Sequence, residues 1–426
     1  MRERLLLFFA VLLPLTPSPA LVPIFFPILL AVLIALLVHG TGVGVSVAAI
    51  RDSYAPHTQF VLAMALVVFG TAVTTPEELD SLLRMLARLV FFLMALGFAV
   101  QFSLVNEDQL SRIRRAFVLG VAAVALVATA SSLLHSPLLG ELRPSRGLGI
   151  FPWGSKSAGV IRSYGEAAII YAGGLTALYQ ERRSLGRFKS LILGSAIMCG
   201  VSVAHSRNVL AVIGVVLVFL FIHATVGRSS KWYRPLLRWA TFGAAMTPLF
   251  VGLLVGTSLG TTALGEYLVG EGTFERSVNA RVDHAQVGLE MVVSDPSVLL
   301  FGATLPEFLE VTGGVASPHN QFISLILFIS PLVAIPVIWL MFLKPMLRSI
   351  ELLSYETLPI AVWLLGSIYA LSSYEGLFSP VLALCLGLNA AVVLRAQRAK
   401  QHSGTPTSVV DPLFPVNKSL GRPIGT

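Results

Sequence analysis

The pair His319–Asn320, in the segment SPHNQFISLILF, is the point of this sequence best suited to acid–base chemistry. It stands directly before a long apolar run, so we expect it at the mouth of a membrane helix. A histidine with a pKa near its usual value of about 6.5 can accept a proton from an attacking hydroxyl and can hydrogen-bond a phosphate. The alternative is that His319 only caps or borders the helix.

A group of basic residues lies earlier in the chain, in ELRPSRGLGIFPWGSKSAGVIR, with Glu141 as its single acid. Guanidinium forks and ammonium groups suit a phosphate or pyrophosphate ligand. Contact with ordinary lipid phosphates or with solvent is the competing interpretation. The basic residues are Arg143, Arg146, Lys156 and Arg162.

Two further polar residues stand within or beside apolar runs. Arg207, in AHSRNVLAV, lies between two such runs, where a charge either faces the protein interior or snorkels to the interface. An interior arginine there would be a good phosphate ligand. Glu166, in SYGEAAII, is a second candidate for a polar group inside the protein, with a place at the membrane interface as the alternative.

The composition predicts that membrane helices position these residues. Hydrophobic residues make up 55% of the 426 positions, charged residues 12%, and mean hydropathy is +0.81. Apolar runs of about 20 residues recur, and the short alternating segments of a membrane barrel are absent from the sequence. We therefore predict an all-α, polytopic membrane fold. Its roughly twelve spans are expected near 5–18, 20–39, 58–74, 88–105, 116–134, 160–180, 189–205, 208–226, 239–259, 320–343, 357–372 and 376–395.

Charge in the short loops predicts the orientation. The formal charge of +8 is spread over loops and not gathered on one face, which argues against a nucleic-acid partner. With a cytoplasmic N-terminus, the inside loops are the basic ones, as the positive-inside rule requires. Both termini are then cytoplasmic. These inside residues are Arg112, Arg114, Arg115, Arg182, Arg183, Arg187, Lys189, Arg228, Lys231, Arg234, Arg238, Lys344 and Arg348.

The N-terminal run MRERLLLFFAVLLPLTPSPA fits either a signal peptide or a first span that is kept. We treat it as a span, because the charge pattern is consistent when it is retained. Residues 1–395 then form one transmembrane domain. The tail 396–426, rich in Pro, Ser, Thr and Gly, is expected to be disordered and cytoplasmic.

The longest outer segment, at about 260–319, is where chemistry is expected, since long loops are usually functional or disordered. Its segment RVDHAQVGLEMVV predicts a helix with Val282, Leu289 and Val293 on one side. Arg281, His284 and Gly288 would form the other side.

Several kinds of site are not indicated. The two cysteines, Cys199 and Cys385, lie in apolar runs and are expected in the core. No metal-ligand spacing, Walker motif, GxSxG elbow or dinucleotide fingerprint occurs in the sequence. We therefore expect neither a metal nor a cofactor, and no ATP-driven work.

Taken in order, these features resemble the O-antigen ligase and polymerase family of membrane glycosyltransferases. The features are Ser206–Arg207 before a span, the long outer segment, Arg281 followed by SDPSVLLFGATLPEF, and His319–Asn320 opening the next span. They cover about residues 115–345. The resemblance implies a type C glycosyltransferase-like fold in a bacterial inner membrane, acting outside on a glycan carried by polyprenyl pyrophosphate.

Carried over residue by residue, the resemblance gives Arg281 and Arg207 the pyrophosphate leaving group and His319 the acceptor hydroxyl. Asn320 joins the substrate-binding residues with Arg143, Arg146, Lys156, Arg162 and His284. The chain departs from the family where an aromatic residue often follows the arginine, since Asp283 and His284 stand there. It also has FISPLVAIP where the family often has a glycine-rich turn.

The acceptor is expected to be another glycan or a lipid A core, and ligase and polymerase remain alternatives. A flippase or transporter of lipid-linked sugars is the competing function, and a scaffold in an export complex is a third. Ionisable residues gather at the outer ends of the predicted spans and in the long outer segment, which favours the enzyme.

Overall fold

The structure, a computed structural model, is helical almost throughout the part of the chain that it describes. Apart from one pair of two-residue strands, every element in that part is a helix, which confirms the all-α prediction there. The described residues are 106–134, 142–143, 156–157, 164–204, 206–226, 273–314, 320–347 and 357–371, with isolated positions among 4–14, at 240 and 243, and among 381–388.

The helices whose bounds lie in the described part of the chain are ten α-helices and a five-residue π-helix. They are α1 Glu107–Leu133, α2 Tyr164–Leu185, α3 Arg187–Val203, α4 Arg207–Val226, α5 Thr273–Ser294, α6 Pro296–Phe301, α7 Leu305–Val311, α8 Gln321–Ile329, α9 Pro331–Ile338, the π-helix Trp339–Leu343 and α10 Thr357–Leu371. The strands are β1 Leu142–Arg143 and β2 Lys156–Ser157, which pair antiparallel.

Helix α1 is the one helix in the described ranges that is both long and apolar enough to cross a bilayer. It has 27 residues, about 40 Å of helix. It begins earlier than the predicted span 116–134 because Asn106 and Gln109 form a capping box that satisfies the first free backbone N–H groups. Its outward residues, such as Leu119 and Leu126, are large and apolar.

The predicted spans 160–180, 189–205, 208–226 and 357–372 each coincide with a helix, namely α2, α3, α4 and α10. Two of these helices contain shorter apolar stretches, Asn208–Ala224 in α4 and Pro359–Leu371 in α10. The predicted spans 5–18, 20–39, 58–74, 88–105, 239–259 and 376–395, together with the tail 396–426, lie wholly or largely outside the described residues.

Helices α1 to α4 and α10 pack as a bundle whose members alternate in direction. Small residues allow close approach: Gly200 of α3 lies against Ala125 of α1, and Gly173 of α2 lies against Trp363 of α10. The indole N–H of Trp363 donates to the carbonyl of Ile169 over 2.8 Å. A Cβ at Gly173 would come within 2.5 Å of the Trp363 ring, so this contact needs glycine.

Contacts between helix ends fix the directions. The start of α1 meets the end of α2 through Arg114 and Glu181, so these helices are antiparallel. The ends of α2 and α4 meet through Tyr179 and His223, which makes this pair parallel. One end of the bundle, called the basic end below, therefore carries the cations expected inside. The basic end is defined by Arg112, Arg114, Arg115, Arg182, Arg183, Arg187 and Lys189.

The stretch expected as a long outer loop is largely helical, since α5, α6 and α7 all lie in it. A second, smaller hydrophobic core joins them to α8, with Phe308 and Leu327 fully buried at its centre. The helix predicted over RVDHAQVGLEMVV is confirmed, since these residues lie within α5. Gly288 is buried while Val293 is 85% exposed, so α5 packs through the side that carries Gly288 and not the side that carries Val293.

Two other predictions need correction. The span 320–343 is not one continuous helix, since it breaks at Ser330, whose φ is +93°, and ends in a π-helix. Pro331 causes the break by disfavouring helical backbone at Ser330. Cys385 is buried as expected, but Cys199 is exposed, because α3 packs on its neighbours through another face that includes Gly200 and Val201.

Candidate functional site

Asn320 is the predicted site residue that the structure describes most fully. It is buried, and it caps α8: its side-chain oxygen accepts from the backbone N–H of Phe322 at 2.9 Å and of Ile323 at 3.2 Å. A cap of this kind holds the first turn of the helix and fixes the direction in which the preceding chain enters. His319 lies immediately before this cap and outside the described residues.

The helix that carries Arg281 and His284 packs directly on α8. Gly288 of α5 is the contact point, because a Cβ built there would lie 3.3 Å from Leu327 and 3.6 Å from Ile323. Alanine would fit only with a shift of a few tenths of an ångström at Leu327, and a larger side chain would separate the two helices. His284 is half-buried, and the backbone of Arg281 lies within α5. The structure therefore brings α5 and α8 together, although α6 and α7 lie between them in the sequence.

Arg207 is the first residue of α4, and its backbone is described. The next residue, Asn208, donates from its side chain to the carbonyl of Ala370, near the end of α10, over 3.4 Å. Because α2 and α4 run parallel, Arg207 stands at the same end of the bundle as Glu166, opposite the basic end. Glu166 is buried in the first turn of α2, as predicted for a polar interior group.

One hydrophobic core connects these elements. It includes Val209 and Val212 of α4 together with Phe322 and Leu325 of α8. Since α5 packs on α8, the three helices that carry Arg207, Asn320 and Arg281 belong to one continuous packed body. Among the described residues, α4 and α5 are not one of the closely packed helix pairs.

The basic segment forms a feature that the sequence analysis missed. In the β1–β2 pair, Arg143 is the register partner of Lys156. Residues opposite each other in an antiparallel pair are close neighbours, and like charges at such positions repel. The backbone register therefore sets two basic residues at opposite positions of one strand pair. Arg146 and Arg162 fall outside the described residues.

Helices α6 and α7 both begin with polar caps. Asp295 caps α6, and hydrogen bonds from the hydroxyl and backbone N–H of Ser297 hold the pKa of its carboxyl below the usual range. Thr304 and Glu307 form a capping box at the start of α7. Within the described ranges, no three His, Cys, Asp or Glu side chains form a group that could hold a metal ion.

Sequence reasoning also missed the Ser330–Pro331 break and its effect on Leu327. Proline has no N–H, so the carbonyl of Leu327 cannot receive the helical hydrogen bond from residue 331. It accepts instead from the N–H of Ala303 at 2.7 Å. The Ser-Pro dipeptide was the available signal, because a residue before proline is disfavoured in helix.

No family model matches this sequence, and no curated protein is similar enough to it to count as a relative.

Proposed function

We propose that this protein is a membrane glycosyltransferase that moves a glycan from polyprenyl pyrophosphate to an acceptor on the outer face of a bacterial inner membrane. In this proposal the chain crosses the membrane about twelve times, with both termini inside. The acceptor is another glycan, for a polymerase, or a lipid A core, for a ligase. No cofactor, metal or nucleic acid takes part.

The chemistry requires two kinds of group. Breaking the bond between pyrophosphate and the anomeric carbon leaves negative charge on the pyrophosphate, and fixed cations such as Arg281 and Arg207 would stabilise it in the transition state. His319 would take the proton from the acceptor hydroxyl as that oxygen attacks. The proton then resides on the imidazole, and polyprenyl pyrophosphate leaves.

The observation that best supports this proposal is the packing of α5 on α8 through Gly288. It makes neighbours of the helix bearing Arg281 and His284 and of the helix that follows His319, with Asn320 as a rigid cap between loop and helix. The Arg143–Lys156 register adds a second cationic feature suited to a phosphate.

The test is transfer by purified protein in nanodiscs supplied with a polyprenyl-pyrophosphate-linked oligosaccharide, with and without a lipid A core. We expect a longer glycan or a glycosylated acceptor, with release of polyprenyl pyrophosphate. His319→Ala and Arg281→Ala should each lower the rate by about 10²-fold or more. Lys189→Ala, which removes an exposed cation at the basic end, is the matched control and should keep the wild-type rate.

Asn320 needs a pair of variants, because it already caps α8. Asn320→Asp keeps the acceptor oxygen of the cap, whereas Asn320→Ala removes it at a cost of about 1 kcal/mol in stability. If Asn320→Asp keeps both stability and transfer, Asn320 acts as a cap only. If wild type transfers nothing, or if folded His319→Ala and Arg281→Ala variants match it, the glycosyltransferase proposal is wrong.

A transporter of lipid-linked sugars is the second candidate, and the break at Ser330 favours it. Broken membrane helices are typical of transporters, where they place substrate sites between half-helices. Ser330 is fully buried, and its left-handed backbone is the only such conformation among the described non-glycine residues. Movement of intact lipid-linked glycan across liposome membranes, without transfer, would support this function instead.

A further inference from the structure

The short helix α6 is attached to the body of the protein at a point along α8, past the first turn of that helix. The turn after α6 meets α8 through the hydrogen bond from Ala303 to the carbonyl of Leu327. Gly302 makes this approach possible, since a Cβ there would lie 2.7 Å from the carbonyl group of Phe328. The attachment is therefore specific to this turn.

The depth of that point follows from helix geometry. Leu327 is seven residues after Asn320, which corresponds to about 10 Å along α8. If Asn320 stands at the water side of the headgroups, the turn after α6 lies just past the boundary between headgroups and acyl chains, because each headgroup layer is about 5–8 Å thick. At that depth little water is available to the carbonyl of Leu327, which Pro331 leaves without a helical hydrogen bond. The N–H of Ala303 donates to this carbonyl in place of water.

The residues of α6 that face away from the protein are large and apolar. Leu299, Leu300 and Phe301, called the α6 edge below, are all exposed, and Phe301 is 67% exposed. An apolar edge of this size in water would be unfavourable, at roughly 25 cal/mol for each Å² left exposed. Val298, on the opposite side of α6, is buried in the smaller core.

The apolar surface continues onto α9, which packs against α6. Leu332, Ile335 and Trp339 are exposed at spacings of three and four residues, so they form one stripe along this part of the span. A stripe on a membrane helix that faces outward is expected to contact lipid. The α6 edge extends that surface sideways from the span.

We propose that α6 is an interfacial membrane anchor, in which the α6 edge inserts among the acyl chains of the outer leaflet. Amphipathic segments of this kind bury their apolar face a few ångströms past the headgroups. Asp295 and Glu307, which lie on either side of the α6 edge and are both held in capping hydrogen bonds, fall at headgroup level. The proposal depends on membrane insertion of the chain, as in the proposed function, but not on glycosyl transfer.

The consequence is that the outer segment is not a loop free in water. It is held at the membrane surface by lipid on one side and by α8 on the other. A lipid-linked substrate would reach α5 and α8 along the surface on which α6 lies.

The test is spin-label accessibility in vesicles of phosphatidylethanolamine and phosphatidylglycerol. Exposed Cys199 is replaced by serine, while fully buried Cys385 is retained, and Cys199→Ser alone gives the background. Labels are then placed by Leu300→Cys and Phe301→Cys. Collision with oxygen, which concentrates in lipid, is compared with collision with a water-soluble nickel chelate.

Two positions calibrate the measurement. Leu126→Cys, on the outward face of α1, reports lipid, and Glu310→Cys, exposed on α7, reports water. We expect the ratio of oxygen to nickel collisions at 300 and 301 to be several-fold above that at 310 and close to that at 126.

Each other outcome overturns the proposal in a distinguishable way. If 300 and 301 match 310 while 126 reports lipid, α6 lies in water, and the membrane fold and proposed function are unaffected. If 126 also reports water, membrane insertion itself is wrong. If the labels at 300 and 301 are shielded from both reagents, protein covers the α6 edge. If they become shielded from nickel only after polyprenyl phosphate is added, that lipid is the occupant and the bilayer is not.

Discussion

Glu181 is a buried carboxylate at the basic end that accepts hydrogen bonds from several side chains at once. Its two oxygens accept from Arg114 at 2.7 Å and Arg115 at 3.1 Å, and the hydroxyls of Ser111 and Ser184 also donate to it. It lies just beyond the predicted span 160–180. Burial acts to raise the pKa of its carboxyl, but these hydrogen bonds and the charge of Arg114 outweigh burial, so the pKa lies below its usual range.

Glu181→Ala should therefore destabilise the protein strongly. It leaves Arg114, whose side chain is only 13% exposed, without its buried partner, and loss of one partner of a buried pair costs about 3–5 kcal/mol. Glu107→Ala is the matched control, since Glu107 also pairs with Arg114 but is 52% exposed, and its removal should cost less than about 1 kcal/mol. The free energy of unfolding, measured by SDS titration from mild detergent, compares the two variants. Equal losses of unfolding free energy in the two variants would mean that the burial of Glu181 does not strengthen its pairing with Arg114.

At the scale of elements, the joint between α6 and α8 depends on one proline and one glycine. Pro331 frees the carbonyl of Leu327, and Gly302 lets the turn come close enough to use it. Gly302 has φ +83° and ψ +163°, a conformation that is essentially restricted to glycine.

Gly302→Ala should weaken this joint by at least about 2 kcal/mol, because it adds both backbone strain and a clash with Phe328. Gly313→Ala is the control, since its φ is +65° but nothing lies within 4 Å of its Cβ position. Its cost should be about 1 kcal/mol from the backbone alone. Hydrogen exchange of the peptide covering residues 295–304 measures the effect locally. Faster exchange in the Gly313 variant than in the Gly302 variant would contradict this account.

At the scale of the molecule, alternating helix directions gather at one end the cations in the first turns of α1, the last turns of α2 and the first turn of α3. The contacts of Arg114 with Glu181 and of Tyr179 with His223 establish these directions independently of any charge rule. On the proposed membrane topology, the positive-inside rule would make the basic end cytoplasmic and would put Arg207 and Glu166 at the outer end.

Cysteine labelling checks this orientation. In the Cys199→Ser background, Lys189→Cys lies at the basic end, and Leu134→Cys lies at the other end, after α1. A membrane-impermeant maleimide added to intact spheroplasts should label Leu134→Cys and leave Lys189→Cys unlabelled until the membrane is permeabilised. The reverse pattern would put the proposed site on the cytoplasmic side.

The sequence by itself determined that the described chain is all-α and where α2, α3, α4 and α10 lie, because apolar runs near 20 residues and their flanking charges are local properties. It also marked the start of α8, since Asn320 is a strong N-cap residue beside an apolar run. Buried Glu166 followed from the same reasoning about polar groups in apolar surroundings.

Tertiary structure alone decided how those helices meet. The periodicity of α5 separates its valines from Gly288 without saying which side packs, and it is Gly288 that faces α8, because close helix packing favours the smallest residue and not the most apolar one. The register that sets Arg143 opposite Lys156 and the bond from Ala303 to Leu327 join residues far apart in the chain. Such partners depend on the relative placement of whole elements, which no local pattern in the sequence encodes.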